Sequence, residues 1–137
     1  MEKEILLGFG RIDRIRFLAY SNLSFISIML LGILADTLLP EMNTFHLGLA
    51  IGLLWLLVSL KFVVQRYHDV GANGLWSLIY LTPGQPFIFI LLGVVPGSQG
   101  PNRFGNPNPH SGLFLRVAAI VPLLIAVGLG AVFELYI

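Results

Sequence analysis

The stretch LWSLIYLTPGQPFIFILLGVV, residues 75–95, decides the fold of this chain. It is long enough for one membrane span of about 20 residues, but PGQP at 83–86 divides it into two apolar pieces. At about 1.5 Å per residue, each piece is on the order of 12 Å long, less than half of a roughly 30 Å hydrocarbon core. The prolines and the glycine also free backbone groups that lipid cannot satisfy. This third apolar segment therefore either crosses as a broken helix or enters the membrane and returns.

The basic residues distinguish these two architectures, because lysine and arginine are retained on the cytoplasmic side of a membrane. They lie almost wholly between the apolar runs, at Lys3, Arg11, Arg14, Arg16, Lys61, Arg66, Arg103 and Arg116. A crossing third segment would place Arg103 and Arg116 outside, whereas a re-entrant one keeps every basic region and the N-terminus in the cytoplasm. The charges therefore favour a hairpin or a strongly broken helix. A proline-kinked crossing helix is the alternative, since it is commoner and needs less shielding by neighbouring protein.

The composition is typical of a membrane protein. Of the 137 residues, 56% are hydrophobic and 11% charged, and the mean hydropathy of +0.86 lies outside the range of soluble domains. A thinly spread net charge of +1 argues against nucleic acid as a partner. The chain has no cysteine, and His46, His68 and His110 are scattered. We therefore expect no metal and no cofactor.

We predict one all-α integral membrane domain over residues 1–137, a polytopic helical protein with four apolar helical segments. They cover about 17–39, 45–64, 75–95 and 117–133. Asp13 is placed to cap the first helix, and the second is expected to continue to Asp69, within i,i+3 reach of Arg66. Glycines and an asparagine at 71–74 then end it.

Small residues recur four positions apart in two of these segments, at Gly48 and Gly52 and at Ala126 and Gly130. This spacing lets two helix backbones approach closely. We expect both faces to pack helices. Packing within the chain is favoured over a seam between two chains, because the spacing alone is weak evidence of a dimer.

Three polar stretches lie beside the apolar segments, GRIDRIRF at 10–17, QRYHDVGANGLW at 65–76 and PGSQGPNRFGNPNP at 96–109. In order and approximate spacing they resemble a bacterial inner-membrane family known only as domain of unknown function 805. Its members look like GRxxRxxFW, RRxHDxGxSGWW and PGTxGxNRYGPDP, and the likeness covers roughly Gly10 to Pro109. Leu18, Gln65, Asn73 and Leu75 depart from that pattern. The resemblance implies an inner-membrane location and a shared fold, and it carries no mechanism.

If the third segment returns to its starting side, the three polar stretches meet on one cytoplasmic face. The predicted binding cluster there consists of Arg11, Arg14, Arg66, His68, Asp69, Asn102 and Arg103. The glycines of PGSQGPNRFG either let backbone amides converge on an anion beside Arg103, or simply make a rigid turn, which is favoured. His68 and Asp69 are either a proton-handling pair or, as we prefer, a structural helix end.

The favoured function is that of a small structural or accessory inner-membrane protein, acting through helix contacts with another membrane protein or with itself. The alternative is a binder of anionic lipid headgroups or small anions, alone or as part of a transporter, that uses the polar cluster. Membrane lipids are expected partners in either case. We do not expect an enzyme, because no nucleophile–base pair can be named from the spacing.

Overall fold

The computed structural model describes residues 10–136, and within that range the chain is all-helical. Its helices, in chain order, are α1 (Arg14–Leu38), α2 (Thr44–Asp69), a 3₁₀ helix (Gly74–Leu81), α3 (Gln85–Val94) and α4 (Leu113–Tyr136). A single antiparallel bridge, between Asn102 and Gly105, is the β pairing found among the described residues. The prediction of an all-helical chain is confirmed for these residues, whereas the count of four segments is not.

Local signals explain where α1 and α2 begin and end. The Asp13 side chain accepts a hydrogen bond from the Arg16 amide at 2.9 Å and so caps α1, as predicted. Pro40 follows α1 because proline cannot continue a helix. Asn43 caps α2 in the same way. α2 continues to Asp69, as expected, and Gly71 then takes a φ of +80°, a conformation that favours glycine.

Three helices are long and apolar enough to cross a membrane. They are Arg14–Leu38, Thr44–Asp69 and Leu113–Glu134, with mean hydropathies of 1.9, 2.3 and 2.3. Most of their large apolar side chains are exposed on the outside of the molecule. Such surfaces are stable only when something other than water covers them. The described chain therefore has the length, composition and surface of a membrane protein.

The third apolar segment does not form one long helix. It consists of the 3₁₀ helix Gly74–Leu81, a turn at residues 82–84 and the short helix α3. The ten residues of α3 are about 15 Å long, roughly half of the hydrocarbon core. The Thr82 hydroxyl donates to the Ile79 carbonyl and accepts from the Gly84 amide, satisfying groups that the proline break would leave open. Three long segments, not four, are therefore present among the described residues.

The buried core is small and lies at one end of the molecule. One cluster comprises Ile12, Phe17, Phe62, Val63, Tyr80 and Leu92. A second comprises Ala19, Leu115, Ala118 and Ala119, where α4 packs on α1. Both clusters join the start of α1 to the end of α2 or the start of α4. We call this end, which also carries residues 96–112, the polar end.

Candidate functional site

Asp69, the last residue of α2, is the centre of the polar end and is only 3% exposed. Its Oδ1 accepts a hydrogen bond from Arg11 Nε at 2.8 Å, and its Oδ2 accepts one from Arg66. Both arginines are buried, at 4% and 0% exposure. A buried charge is tolerated only when it is paired and hydrogen-bonded. One carboxylate therefore neutralises part of the charge of two arginines and leaves an excess positive charge.

Arg11 uses its remaining donors on the loop that follows α3. Its NH2 group donates to the Ser98 carbonyl at 2.5 Å, and NH1 donates to the Gly100 carbonyl at 2.8 Å and to the Gly105 carbonyl at 3.3 Å. A planar guanidinium can serve several acceptors at once in this way. Arg11 thus ties the chain just before α1 to both α2 and the loop.

Arg66 uses its guanidinium in a similar way and ties the end of the third apolar segment to α2. Its Nε donates to the Leu92 carbonyl at 2.8 Å, and its NH2 group donates to the Val95 carbonyl. These are carbonyls of the last turn of α3, which have no partner within their own helix. The start of the same segment lies at the same place, because Gly74 is packed against the side chains of Val64 and His68. Both ends of the third segment therefore contact the C-terminal end of α2.

The backbone at Gly97 lies close against the carboxylate of Asp69. A Cβ atom built on Gly97 would overlap all three carboxyl atoms of Asp69. The next amide, of Ser98, donates to the Asp69 carbonyl at 2.8 Å. Glycine is required here because any larger residue would push the loop away from α2. The sequence analysis favoured a rigid turn in this loop, and in the structure the backbone of the loop packs against Asp69.

His68 and Asn102 extend the network to the opposite side of the loop. The His68 ring stacks on Phe104 with a centroid distance of 3.8 Å and an interplanar angle of 5°. Its Nδ1 lies 3.2 Å from the Gly10 carbonyl. The Asn102 side-chain Nδ2 donates to the His68 carbonyl at 2.9 Å. His68 is therefore held by contacts on its ring face, its nitrogen and its backbone, which suits a structural role.

A second, smaller network joins the start of α1 to the end of the loop. Arg16 pairs with Asp13 and donates to the Pro109 carbonyl at 2.8 Å. The Asp13 amide donates to Asn108 Oδ1 at 2.8 Å. Further along, Asn22 donates to the carbonyls of Ala118 and Ala119 at 3.1 and 3.0 Å, which fixes α4 to α1. Side-chain hydrogen bonds to backbone thus link α1 to the loop and to α4, and link α2 to α3 and to the loop.

The model of a family described as "Protein of unknown function (DUF805)" matches residues 8–106. The chain belongs to this family. No curated protein and no solved structure matches it. The DUF805 match includes the residues of the Asp69 network and stops before α4 begins at Leu113. The resemblance read from the three polar stretches is therefore confirmed, and the family description assigns no activity.

The structure brings together most of the cluster predicted for this DUF805 protein. Arg11, Arg66, His68, Asp69 and Asn102 share one connected network. The other two predicted members lie at its edge. The Arg103 guanidinium lies over the Phe104 ring at 4.7 Å and reaches the Gly71 carbonyl at 3.4 Å. Arg14 is exposed at the first residue of α1.

The sequence analysis did not select three residues that the structure places at the polar end. Arg16 and Gln65 are buried at 2% and 1% exposure, and Gly97 touches the central carboxylate. Arg16 and Gly97 belong to stretches that carry the DUF805 resemblance, which is the signal that could have selected them. Among the described residues, no group of three or more histidine, aspartate or glutamate side chains could hold a metal ion.

The glycines predicted to pack helices have no helix of residues 10–136 close against them. A Cβ atom added at Gly48, Gly52 or Gly130 would meet no atom within 4 Å, and Ala126 is exposed. The close small-residue contact inside this DUF805 chain is instead made by Ala19, Ala118 and Ala119. Packing at the predicted positions against another chain stays a prediction.

Proposed function

We propose that this protein is a small accessory protein of the bacterial inner membrane that holds a transmembrane helix of a partner protein. The observation that carries the proposal is a groove of about 480 Å³ between α1 and α2, away from the polar end. Gly32 lines it on α1, and Gly48 and Gly52 line it on α2. Added Cβ atoms at all three positions would point into open space, so a helix can approach these backbones closely.

One charged side chain lining the groove favours a protein occupant over a lipid acyl chain. Trp55 forms part of the groove wall, where its ring packs edge-on against Phe25 at 6.0 Å. Asp36 at the groove mouth adds a negative charge that suits a basic residue at the end of the partner helix.

The shape of the groove favours a different protein over a second copy of this chain. A symmetric dimer uses the same patch on both subunits, which must then fit itself. A groove cannot fill another groove. The partner must contribute a ridge, such as one helix, and the apolar side chains on both walls offer dispersion contacts to it.

The proposed topology has the N-terminus and the polar end in the cytoplasm, with α1, α2 and α4 crossing the membrane and the third segment re-entrant. Its support is that both ends of this segment contact the end of α2. The positive-inside rule orients that end, because the Asp69 network carries two arginines for one carboxylate. Asp36 and Glu41, which lie around the α1–α2 turn, then face outside.

No enzymatic activity is part of the proposal. The acid–base neighbours named from the sequence, His68 and Asp69, are engaged with Phe104, Gly10 and the two buried arginines. Such engagement stabilises the polar end and leaves the pair poorly placed to exchange protons with a substrate.

Site-directed cross-linking tests the partner. A photoreactive side chain at Met29, which lines the groove, should cross-link to a transmembrane helix of one membrane protein. Filling the groove with Gly48→Leu and Gly52→Leu should reduce the yield by about fivefold or more, the effect of losing roughly 1 kcal/mol of helix packing. Gly128→Leu, at an open position of α4 outside the predicted packing positions, is the matched control. Dimers of this chain as the sole product, or equal yields in all variants, would contradict the proposal.

Cysteine labelling tests the topology, and the chain has no native cysteine to remove. Asn73→Cys and Gln99→Cys, at exposed positions of the polar end, should react with an impermeant reagent only when the cytoplasmic side is accessible. Glu41→Cys should react from outside. Opposite labelling of positions 73 and 99 would show that the third segment crosses.

A further inference from the structure

A cavity of about 320 Å³ opens at the polar end, separate from the groove between α1 and α2. The start of α1, the loop 96–111 and the start of α4 surround it. Its charged and polar lining includes Arg11, Asp13, Arg14, Ser98, Asn108 and Arg116. A concave space of this volume is at the lower end of the range for small-ligand sites.

Both carboxylates in the cavity wall are already neutralised by neighbours. Asp69 pairs with Arg11 and with Arg66 behind the wall. Asp13 pairs with Arg16. These two aspartates thus pair with three arginines. The lining also contains further arginines, which add to the positive charge. The cavity is electropositive as a result, and an anion entering it would not meet an uncompensated acid.

Arg14 and Arg116 are the cations left for a ligand. Arg14 is exposed at the first residue of α1 and forms no ion pair within residues 10–136. Arg116 is exposed one turn into α4, and its Nε donates to the Ser111 carbonyl at 3.1 Å, which leaves the two terminal amino groups of its guanidinium open. Both lie in first helical turns, where the helix dipole also favours an anion.

Exposed apolar side chains stand next to the lining residues of the cavity in the sequence, which suits an amphipathic ligand. Ile15 lines the wall. Leu113 and Phe114, in the first turn of α4, are 79% and 70% exposed. This turn is where a candidate membrane span begins, so lipid headgroups and the upper parts of their acyl chains lie at this level. A free anion would use the arginines but not these side chains.

We propose that this cavity binds the phosphate group of an anionic phospholipid. Arg14 and Arg116 donate charge-assisted hydrogen bonds to the phosphate oxygens from two sides. The acyl chains lie along Leu113 and Phe114. The site is independent of the proposed partner groove, since it lies at the opposite end of α1.

Titration of the purified protein in a neutral detergent tests the site. The probes are phosphatidylglycerol, phosphatidylcholine and inorganic phosphate, with bound lipid counted by native mass spectrometry. Phosphatidylglycerol should bind the unaltered protein more tightly than phosphatidylcholine does. Arg14→Gln combined with Arg116→Gln should weaken its binding about tenfold or more, because two charge-assisted hydrogen bonds are lost. Lys61→Gln, which removes one positive charge outside the cavity lining, should leave it unchanged.

Two further measurements keep the result interpretable. Helical circular dichroism and thermal melting should be the same for all variants, since both altered arginines are exposed. The lysine pair, Arg14→Lys with Arg116→Lys, keeps both charges and should bind phosphatidylglycerol more tightly than the glutamine pair. An equal loss in Lys61→Gln, or undiminished binding in the glutamine pair, would overturn the proposal. Arginine-dependent binding of inorganic phosphate without binding of lipid would support phosphate recognition but overturn the lipid as its source.

Discussion

Replacing Asp69 by asparagine is the sharpest test of how the polar end is held together. The substitution keeps the shape of the side chain and removes the charge that Arg11 and Arg66 share. Both guanidiniums would stay buried, at 4% and 0% exposure, without a counter-charge. Breaking a buried ion pair from one side costs about 3–5 kcal/mol. The asparagine oxygen can still accept one hydrogen bond, so we expect the free energy of unfolding to fall by roughly 3 kcal/mol or more.

The assay is reversible unfolding in mixed micelles with increasing dodecyl sulfate, followed by helical circular dichroism. Gln99→Ala, at an exposed position of the same end, is the control and should change the unfolding free energy by no more than about 0.5 kcal/mol. If Asp69→Asn falls within about 1 kcal/mol of that control, the network is not what stabilises the polar end. A loss confined to Asp69→Asn would support the reasoning.

Three further substitutions probe separate contacts of the same region by the same unfolding assay. Gly97→Ala should lower the unfolding free energy by about 1–3 kcal/mol through overlap with Asp69, whereas Gly100→Ala, with open space around it, should not. Asn22→Leu should cost about 0.6–1.7 kcal/mol by removing the hydrogen bonds to α4, and no effect would mean that these bonds do not anchor α4. Phe104→Leu should cost about 0.5–1.5 kcal/mol through loss of the stack on His68, with a smaller cost counting against that stack.

Features set by neighbouring residues could be predicted from the sequence. The cap at Asp13, the extension of α2 to Asp69 and the break at Pro83 each follow from local backbone chemistry. The three long apolar helices follow from length and hydropathy in the same way. The polar stretches also identified the family correctly.

Contacts between residues that are far apart in the sequence could not be predicted from local patterns. The hydrogen-bond partners of Arg11 lie 58 to 94 residues further along the chain, and its i,i+3 neighbours gave no indication of them. The contact of α4 with α1 uses Ala118 and Ala119, although the repeated small-residue spacing drew attention to positions 126 and 130. A spacing rule states that a close approach is possible and does not state which helix makes it.

The long reach of Arg11 has a consequence for the order of events during synthesis. Gly100, whose carbonyl it binds, is translated 89 residues later. At roughly 5–20 residues per second, that delay is about 4–18 s. α1 and α2 can be fully emerged and inserted during this interval, while the arginine still lacks its loop. On the proposed topology, the charges of the basic residues alone then set the orientation of α1 in the membrane. The hydrogen bonds to the loop form afterwards and stabilise that orientation.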